Sequence, residues 1–352
     1  MVSKRKILVI IIGLMVLSAG LFLFREKIFH SGGSVKEPEI DSLAMIEKLT
    51  PQIEALSNMI KENPGDPNLY YARGNAYFDF GNLKYALFDF EKAYHMDSTD
   101  AKIALGLSDC LFEVNNADGA IGILMNYLRT DPKNTDILFN LGLDYYYLPK
   151  PQYQKAIDAF NEVLKIDIQY ADAYFFKGMA YKETGDTAKA ISNFQTAVET
   201  DPDYFDAFMQ LGVIYAAQKN DVAIKYFDNA IAVNDTSTEA QYARAKYFQD
   251  RGKLKEAIGY YHDMIVKNPQ DADAIYNLAS IYFGMDSIQK AYYFFGLAIK
   301  QSPAKASAYY GKGLCAEEMK KTEEAISLYN QALNLNPDLK DAEERLLKLN
   351  AE

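Results

Sequence analysis

The 352-residue sequence has no tryptophan, three histidines and two cysteines. With so few histidines and thiols, and no CxxC pair, a zinc ribbon or dithiol redox motif is excluded. None of HExxH, GxxxxGK, GxSxG or GxGxxG occurs, so zincin, P-loop, α/β-hydrolase and dinucleotide-binding chemistry lack their signatures. No cofactor or metal is expected, and the carboxylates follow a repeating pattern instead of forming isolated catalytic pairs. A basic face is also missing. The net charge is −11, and residues 1–33 hold five bases against one acid, which leaves −15 on the remainder. Such a surface repels nucleic acid. What is abundant is tyrosine (27) and phenylalanine (20) in a composition that is 49% hydrophobic, too apolar for a disordered chain.

Residues 1–30 read as a signal anchor. Lys4-Arg5-Lys6 precedes an uncharged run from Ile7 to Phe24, and Arg25-Glu26-Lys27 closes it. As a helix this run is about 27 Å long, close to the thickness of a bilayer's hydrocarbon core. A cleaved secretory signal is the rival, but its apolar core is shorter, and Ser18-Ala19-Gly20 lies inside the run. Leu21 stands where a lipoprotein signal needs cysteine. The excess of positive charge before the span places the N-terminus in the cytoplasm and the rest across an inner (cell) membrane, in the periplasm of a bacterium. A cytosol-facing arrangement is the alternative. Residues 31–41 form a tether, and 42–66 an N-terminal helical cap of two short stretches, with Thr50-Pro51 as a helix start.

From residue 67 one pattern recurs. An alanine is followed four residues later by an aromatic or leucine, and three later by a small or apolar residue. Examples are Ala86/Phe90/Ala93, Ala156/Phe160/Val163, Ala190/Phe194/Ala197 and Ala325/Tyr329/Ala332. Eleven to fourteen residues before each alanine lies another small residue: Gly74, Ser108, Gly142, Gly178, Gly212, Ala245, Ala279 and Gly313. These spacings put the marker residues on one face of each of two helices, whose backbones can then approach closely. The units are 67–100, 101–134, 135–170, 171–204, 205–237, 238–271, 272–305 and 306–339. Gly81, Gly185 and Gly252 fall where a first helix should end. Thr236-Ser237-Thr238-Glu239 offers a capping box into the sixth unit. After Pro337, Leu339, Ala342, Leu346 and Leu349 make one apolar stripe, as a solvating C-terminal helix (340–352) requires. The repeat register places Cys110 and Cys315 six repeats apart, both on apolar helix faces, as buried unbridged thiols.

The period of 34 residues and the small/aromatic/alanine/proline pattern over 67–339 resemble the tetratricopeptide repeat family. The family's first-helix tryptophan is missing throughout; Tyr70, Tyr174, Phe208 and Tyr309 stand in its place in four units. The resemblance implies an all-α, right-handed superhelical solenoid of eight antiparallel helix pairs, with one transmembrane helix added at the N-terminus. It also implies that first helices line a concave groove that takes a protein or peptide. The fifth position of each unit would face that groove: Tyr71, Leu105, Phe139, Phe175, Met209, Tyr242, Tyr276 and Tyr310. The twelfth position adds Phe78, Phe112, Tyr146 and Phe283, and the sixth adds the amides Asn140, Gln210 and Asn277, which in some members hold a ligand backbone. The alternative is that the rings pack against neighbouring repeats. Acids at the second position of five units suit helix N-termini, or form a rim for basic ligands. A lysine/arginine/asparagine clamp for a peptide carboxylate is not present. The third unit has an inserted turn, Tyr145 to Tyr153, expected to protrude as a secondary contact site. The sequence therefore predicts a membrane-anchored binding scaffold in an envelope or secretion assembly, not an enzyme. A structural subunit with an unused groove is the competing reading.

Overall fold

The structure is a computed structural model and describes residues 51–351. Among these residues there are eighteen helices and no strand, so the chain is an all-α helical-repeat protein. Among them, no helix is long and apolar enough to cross a membrane. The span expected at 7–24, the tether at 31–41 and the first part of the cap, 42–50, lie outside the described residues.

The chain divides between the fourth and fifth repeats into two compact units. In the first, α1 (Pro51–Glu62) is followed by four helix pairs. These are α2 (Pro67–Asp79) with α3 (Leu83–Met96), α4 (Ala101–Glu113) with α5 (Ala117–Tyr127), α6 (Thr135–Tyr147) with α7 (Tyr153–Ile166), and α8 (Ala171–Glu183) with α9 (Thr187–Thr200). The second unit holds α10 (Phe205–Ala217) with α11 (Val222–Val233), α12 (Thr238–Asp250) with α13 (Leu254–Lys267), and α14 (Ala272–Gly284) with α15 (Ile288–Gln301). The pair α16 (Ala306–Glu318) and α17 (Thr322–Leu335) follows, and α18 (Lys340–Ala351) closes it. Within each unit every helix packs on the next in sequence, and α2 also touches α4, α4 touches α6, α6 touches α8, α10 touches α12 and α14 touches α16.

One turn is built seven times. The fifteenth residue of the repeat takes positive φ: Gly81, Gly185 and Gly252 do so, and so do Asn115, Lys219, Asp286 and Lys320. In each case the next N–H reaches back to the carbonyl of residue eleven, as in Asn82 to Tyr77 and Asn116 to Leu111, both 2.9 and 2.8 Å in that order. These bonds satisfy carbonyls that the ending helix leaves open. The third repeat makes the same closure across its insertion, from Gln152 N to Tyr145 O at 2.9 Å. First helices start on side-chain caps: Asp66, Asp100, Asn134, Ser237 and Asp271 each accept from an N–H two or three residues on. The capping box expected at 236–239 is corrected here. Ser237 is the cap and takes the Ala240 N–H, so Glu239 falls at the second helical position, one short of where the reciprocal bond forms.

The marker residues are the core. Ala86, Ala120, Ala156, Ala190, Ala223, Ala257, Ala291 and Ala325 are all fully buried, as are most of the aromatics four residues later. In α18, Ala342 is buried, and Leu339, Leu346 and Leu349 pack beside it against Tyr329 and Leu328. Its Arg345 Nη1 donates to Glu317 Oε1 at 2.9 Å, which fastens the last helix to α16.

Candidate functional site

The first-helix face was expected to present a ladder of rings, and the structure divides that ladder in two. The fifth-position ring leans on the core ring of its own repeat. Centroid distances are 5.8 Å for Tyr71–Phe90, 5.5 Å for Phe139–Phe160, 5.6 Å for Phe175–Phe194 and 6.0 Å for Tyr242–Tyr261. They are 5.6 Å for Tyr276–Phe295 and 5.7 Å for Tyr310–Tyr329. Each ring therefore has one side committed to the core. Tyr71, Leu105, Tyr242, Tyr276 and Tyr310 keep part of their surface, as do the twelfth-position rings Phe78, Phe112 and Phe283. Phe139, Phe175 and Met209 do not; they are buried, with Phe139 only 1% exposed, and so have no face to offer a ligand.

Phe176 causes much of that burial. It sits at the sixth position, where other repeats have alanine, glycine or an amide. Its ring meets Phe139, Tyr146, Tyr147, Phe160 and Phe175 at 5.2–6.4 Å. The inserted turn of the third repeat folds into this cluster. Tyr146 is buried, Tyr147 half-buried, and burial raises both phenols above their ordinary range. The expected ring-bearing protrusion is thus corrected: its tyrosines turn inward, and the tip exposes Pro149, Lys150, Pro151 and Gln152. Burying two rings on Phe176 removes more apolar surface from water than leaving them on a loop would.

The amides are also engaged within the fold. Asn140 Nδ2 donates to the Asp136 carbonyl at 2.8 Å. Asn277 Nδ2 donates to the Asp273 carbonyl at 2.7 Å and to the Tyr242 hydroxyl at 2.9 Å. Both are buried, so the role that the resemblance implied for them, gripping a ligand backbone, is replaced by a bond to their own helix. Gln210 is half-buried on α10.

Two buried features escaped sequence reasoning. Arg73 donates from Nε and Nη2 to Asp89 at 2.7 and 2.8 Å, and from Nη1 to Ser57 Oγ at 3.2 Å, tying α1, α2 and α3 together. The seventh position is leucine in four repeats and basic in four, so arginine there did not by itself mark a buried pair. The second feature is an acceptor paired with a core hydroxyl. Where the core ring is tyrosine, its OH finds a polar residue at position twelve: Tyr261 donates to Gln249 at 3.0 Å and Tyr329 to Glu317 at 2.7 Å. The co-occurrence of tyrosine and an acceptor twelve residues apart was legible, because a buried hydroxyl needs a partner. Both cysteines are free and buried, and burial pushes each thiol up to about 12. Among the described residues no group of three His, Cys, Asp or Glu side chains is placed to hold a metal ion.

Family models agree with this architecture. Tetratricopeptide repeat models match residues 81–141, 215–272, 242–291 and 306–339, and a TPR repeat model matches 178–219. No curated protein matches the chain. Among solved structures, it resembles the C-terminal part of a TPR repeat-containing protein from Cytophaga hutchinsonii. Identity is 19%, coverage is 67% of this chain and 97% of that one, and the TM-score is 0.58, a likeness of fold. A tetratricopeptide repeat protein from Parabacteroides merdae is 22% identical over 71% of this chain and 98% of its own, with a TM-score of 0.47. YrrB, described as a TPR protein with an unusual peptide-binding site, is 27% identical over 55% and 98%, with a TM-score of 0.41. With its repeated turn, its buried alanine and aromatic markers and the family-model matches over more than half of its length, the chain belongs to the tetratricopeptide repeat family.

Proposed function

We propose that this chain is a membrane-anchored scaffold that holds a protein or peptide on its first-helix faces, and that it is not an enzyme. The observation that carries this reading is the row of half-buried rings. Tyr71, Phe78 and Phe112 in one unit, and Tyr242, Tyr276, Phe283 and Tyr310 in the other, pack on the core and keep part of their surface accessible. A half-exposed ring on a rigid helix offers apolar contact at small entropic cost. Residues 7–24 supply the anchor, and the repeats lie on the extracytoplasmic side, within an envelope or secretion assembly.

A photo-cross-linking side chain at Phe112 or Tyr276, in native membranes, tests the reading. The expected result is one discrete adduct from each of these positions and none from Asp158, on the outer side of α7. Adducts from Asp158 alone would favour the competing reading, a structural subunit whose first-helix face is unused. Protease digestion of intact cells and of spheroplasts tests the side of the membrane; cleavage only after the outer barrier is opened is expected, and protection in spheroplasts would point to a cytosol-facing receptor.

A further inference from the structure

Arg73 and Arg244 both stand at position seven of a first helix, yet their guanidinium groups are used differently. Arg73 gives its Nε and Nη2 edge to Asp89, position twenty-three of its own repeat, at 2.7 and 2.8 Å. In the sixth repeat position twenty-three is Tyr260, and the guanidinium of Arg244 lies over that ring, 4.1 Å from its centroid. Arg244 Nη1 donates to Asp228 of α11 at 2.7 Å. Its Nε is buried and has no hydrogen-bond partner. The edge that Asp89 fills on Arg73 is therefore left without a carboxylate on Arg244. A buried N–H with no acceptor costs free energy, and folded proteins leave few of them.

A cavity of about 220 Å³ opens beside this guanidinium, between α12 and α13. Lys267 stands on its lining, exposed and without an ion pair among the described residues. Buried Met264 and exposed Val266 add an apolar wall, and Asp263 is the acid of the lining. With Asp228 bound to Arg244 and Asp263 on the same lining as Lys267, two acids offset two bases. That balance disfavours a dianion such as a phosphate monoester. A single carboxylate matches the planar fork of Nε and Nη2, as Asp89 does on Arg73.

We propose that the α12–α13 cavity binds one carboxylate carried on a short apolar stem. The Nε and Nη2 edge of Arg244 takes the carboxylate, Lys267 adds a second positive charge, and Met264 and Val266 cover the stem. Nε is reached by a slide of the guanidinium across the Tyr260 ring, which the exposed Asp228 carboxylate can follow. None of the half-buried rings of the first-helix face lines this cavity, so the site is separate from the one proposed above. A free small acid and a peptide's C-terminus present the same group.

Saturation-transfer NMR with the full-length protein in detergent, against empty micelles, tests it. The probes are isovalerate and its neutral amide, and a tetrapeptide ending in leucine with a free or an amidated C-terminus. Isovalerate is expected to bind and isovaleramide not to. Arg244→Lys keeps the charge beside Asp228 but loses the fork, and should weaken isovalerate about tenfold or more. Arg129→Lys, exposed in the second repeat, should bind as the parent does. Tyr260→Phe keeps the ring and should also bind normally, whereas Tyr260→Asp supplies an internal carboxylate, as Asp89 does for Arg73, and should abolish binding. Equal signals from isovalerate and its amide, no signal from either acid, unchanged binding in Arg244→Lys, equal loss in Arg129→Lys, or binding kept in Tyr260→Asp overturns the proposal. Isovalerate binding without the peptide assigns the site to a free acid; binding of the free but not the amidated peptide assigns it to a chain terminus. Circular dichroism checks that each variant keeps its helix content, and Arg244→Lys decides the matter if Tyr260→Asp does not fold.

Discussion

A methyl group added at Gly212 would meet the Phe227 ring at 2.5 Å, well inside van der Waals contact, while one added at Gly122 would meet nothing within 4 Å. The two glycines therefore predict opposite signs. Gly212→Ala forces α10 and α11 apart or pushes Phe227 off its rotamer and should destabilise the protein by about 1–3 kcal/mol. Gly122→Ala sits on the exposed side of α5 and gains only helix propensity, stabilising by about 0.5–1 kcal/mol. Urea melts of both variants against the parent check this; matching signs would contradict the packing argument. The cysteines belong to the same scale. A thiol pushed up to about 12 and sealed from solvent holds almost no thiolate at neutral pH. Cys110 and Cys315 should resist a thiol reagent in buffer and react at both positions once the chain is unfolded, as mass spectrometry would show.

Helices α1, α2 and α3 meet at one charge pair. Asp89 is 1% exposed and Arg73 13%, so removing the carboxylate leaves a guanidinium with little access to water. Asp89→Ala should cost about 3–5 kcal/mol, whereas the exposed pair Lys165–Glu162 should yield less than about 1 kcal/mol to the same treatment. Chemical denaturation of Asp89→Ala and Glu162→Ala compares them. At this scale the sequence was most legible. Small residues and alanines at constant spacing give helix number, pairing and core directly, because close backbone approach admits few residue types. The turns were legible only at Gly81, Gly185 and Gly252. Asn115, Lys219, Asp286 and Lys320 adopt the same positive φ, since the bonds of the motif outweigh the modest cost of a Cβ there. The site was less legible. Position five identifies which residues point from the first helix, but not which of them stay open, because that depends on what the next elements pack against them. Phe176 closes over Phe139; Gly106 sits beside Tyr71 and leaves it half-open. The inserted turn misled for the same reason, because its rings found a partner in Phe176 that no local pattern announces.

Across the whole molecule, buried tyrosines set the response to alkaline pH. Burial raises the phenols of Tyr146, Tyr170, Tyr261 and Tyr329, and the hydrogen bond to Glu324, with burial, lifts Tyr292 to about 12. In the unfolded chain each would ionise near its ordinary value of about 10. A group whose pKa is higher in the folded state adds stability that is complete below the unfolded value and is lost as pH rises through the folded one. Stability should therefore fall steeply above about pH 10, when the unfolded chain releases protons that the native one still holds. Carboxylates act at the other end. Lys253 and Tyr247 hydrogen bonds hold Asp221 below the usual range, and Tyr292 does the same for Glu324, so their contribution disappears as pH falls below about 4. Glu91, raised by burial, opposes this trend but is a single group. Melting followed by circular dichroism should give a plateau between these limits with a loss on both sides. On the alkaline side, tyrosinate absorbance should rise in step with the loss of helix. Ionisation of the buried phenols of Tyr146, Tyr170, Tyr261 and Tyr329 at about pH 10 with helicity intact would mean that they are open to solvent and that the interlocked rings of the repeats do not hold as described.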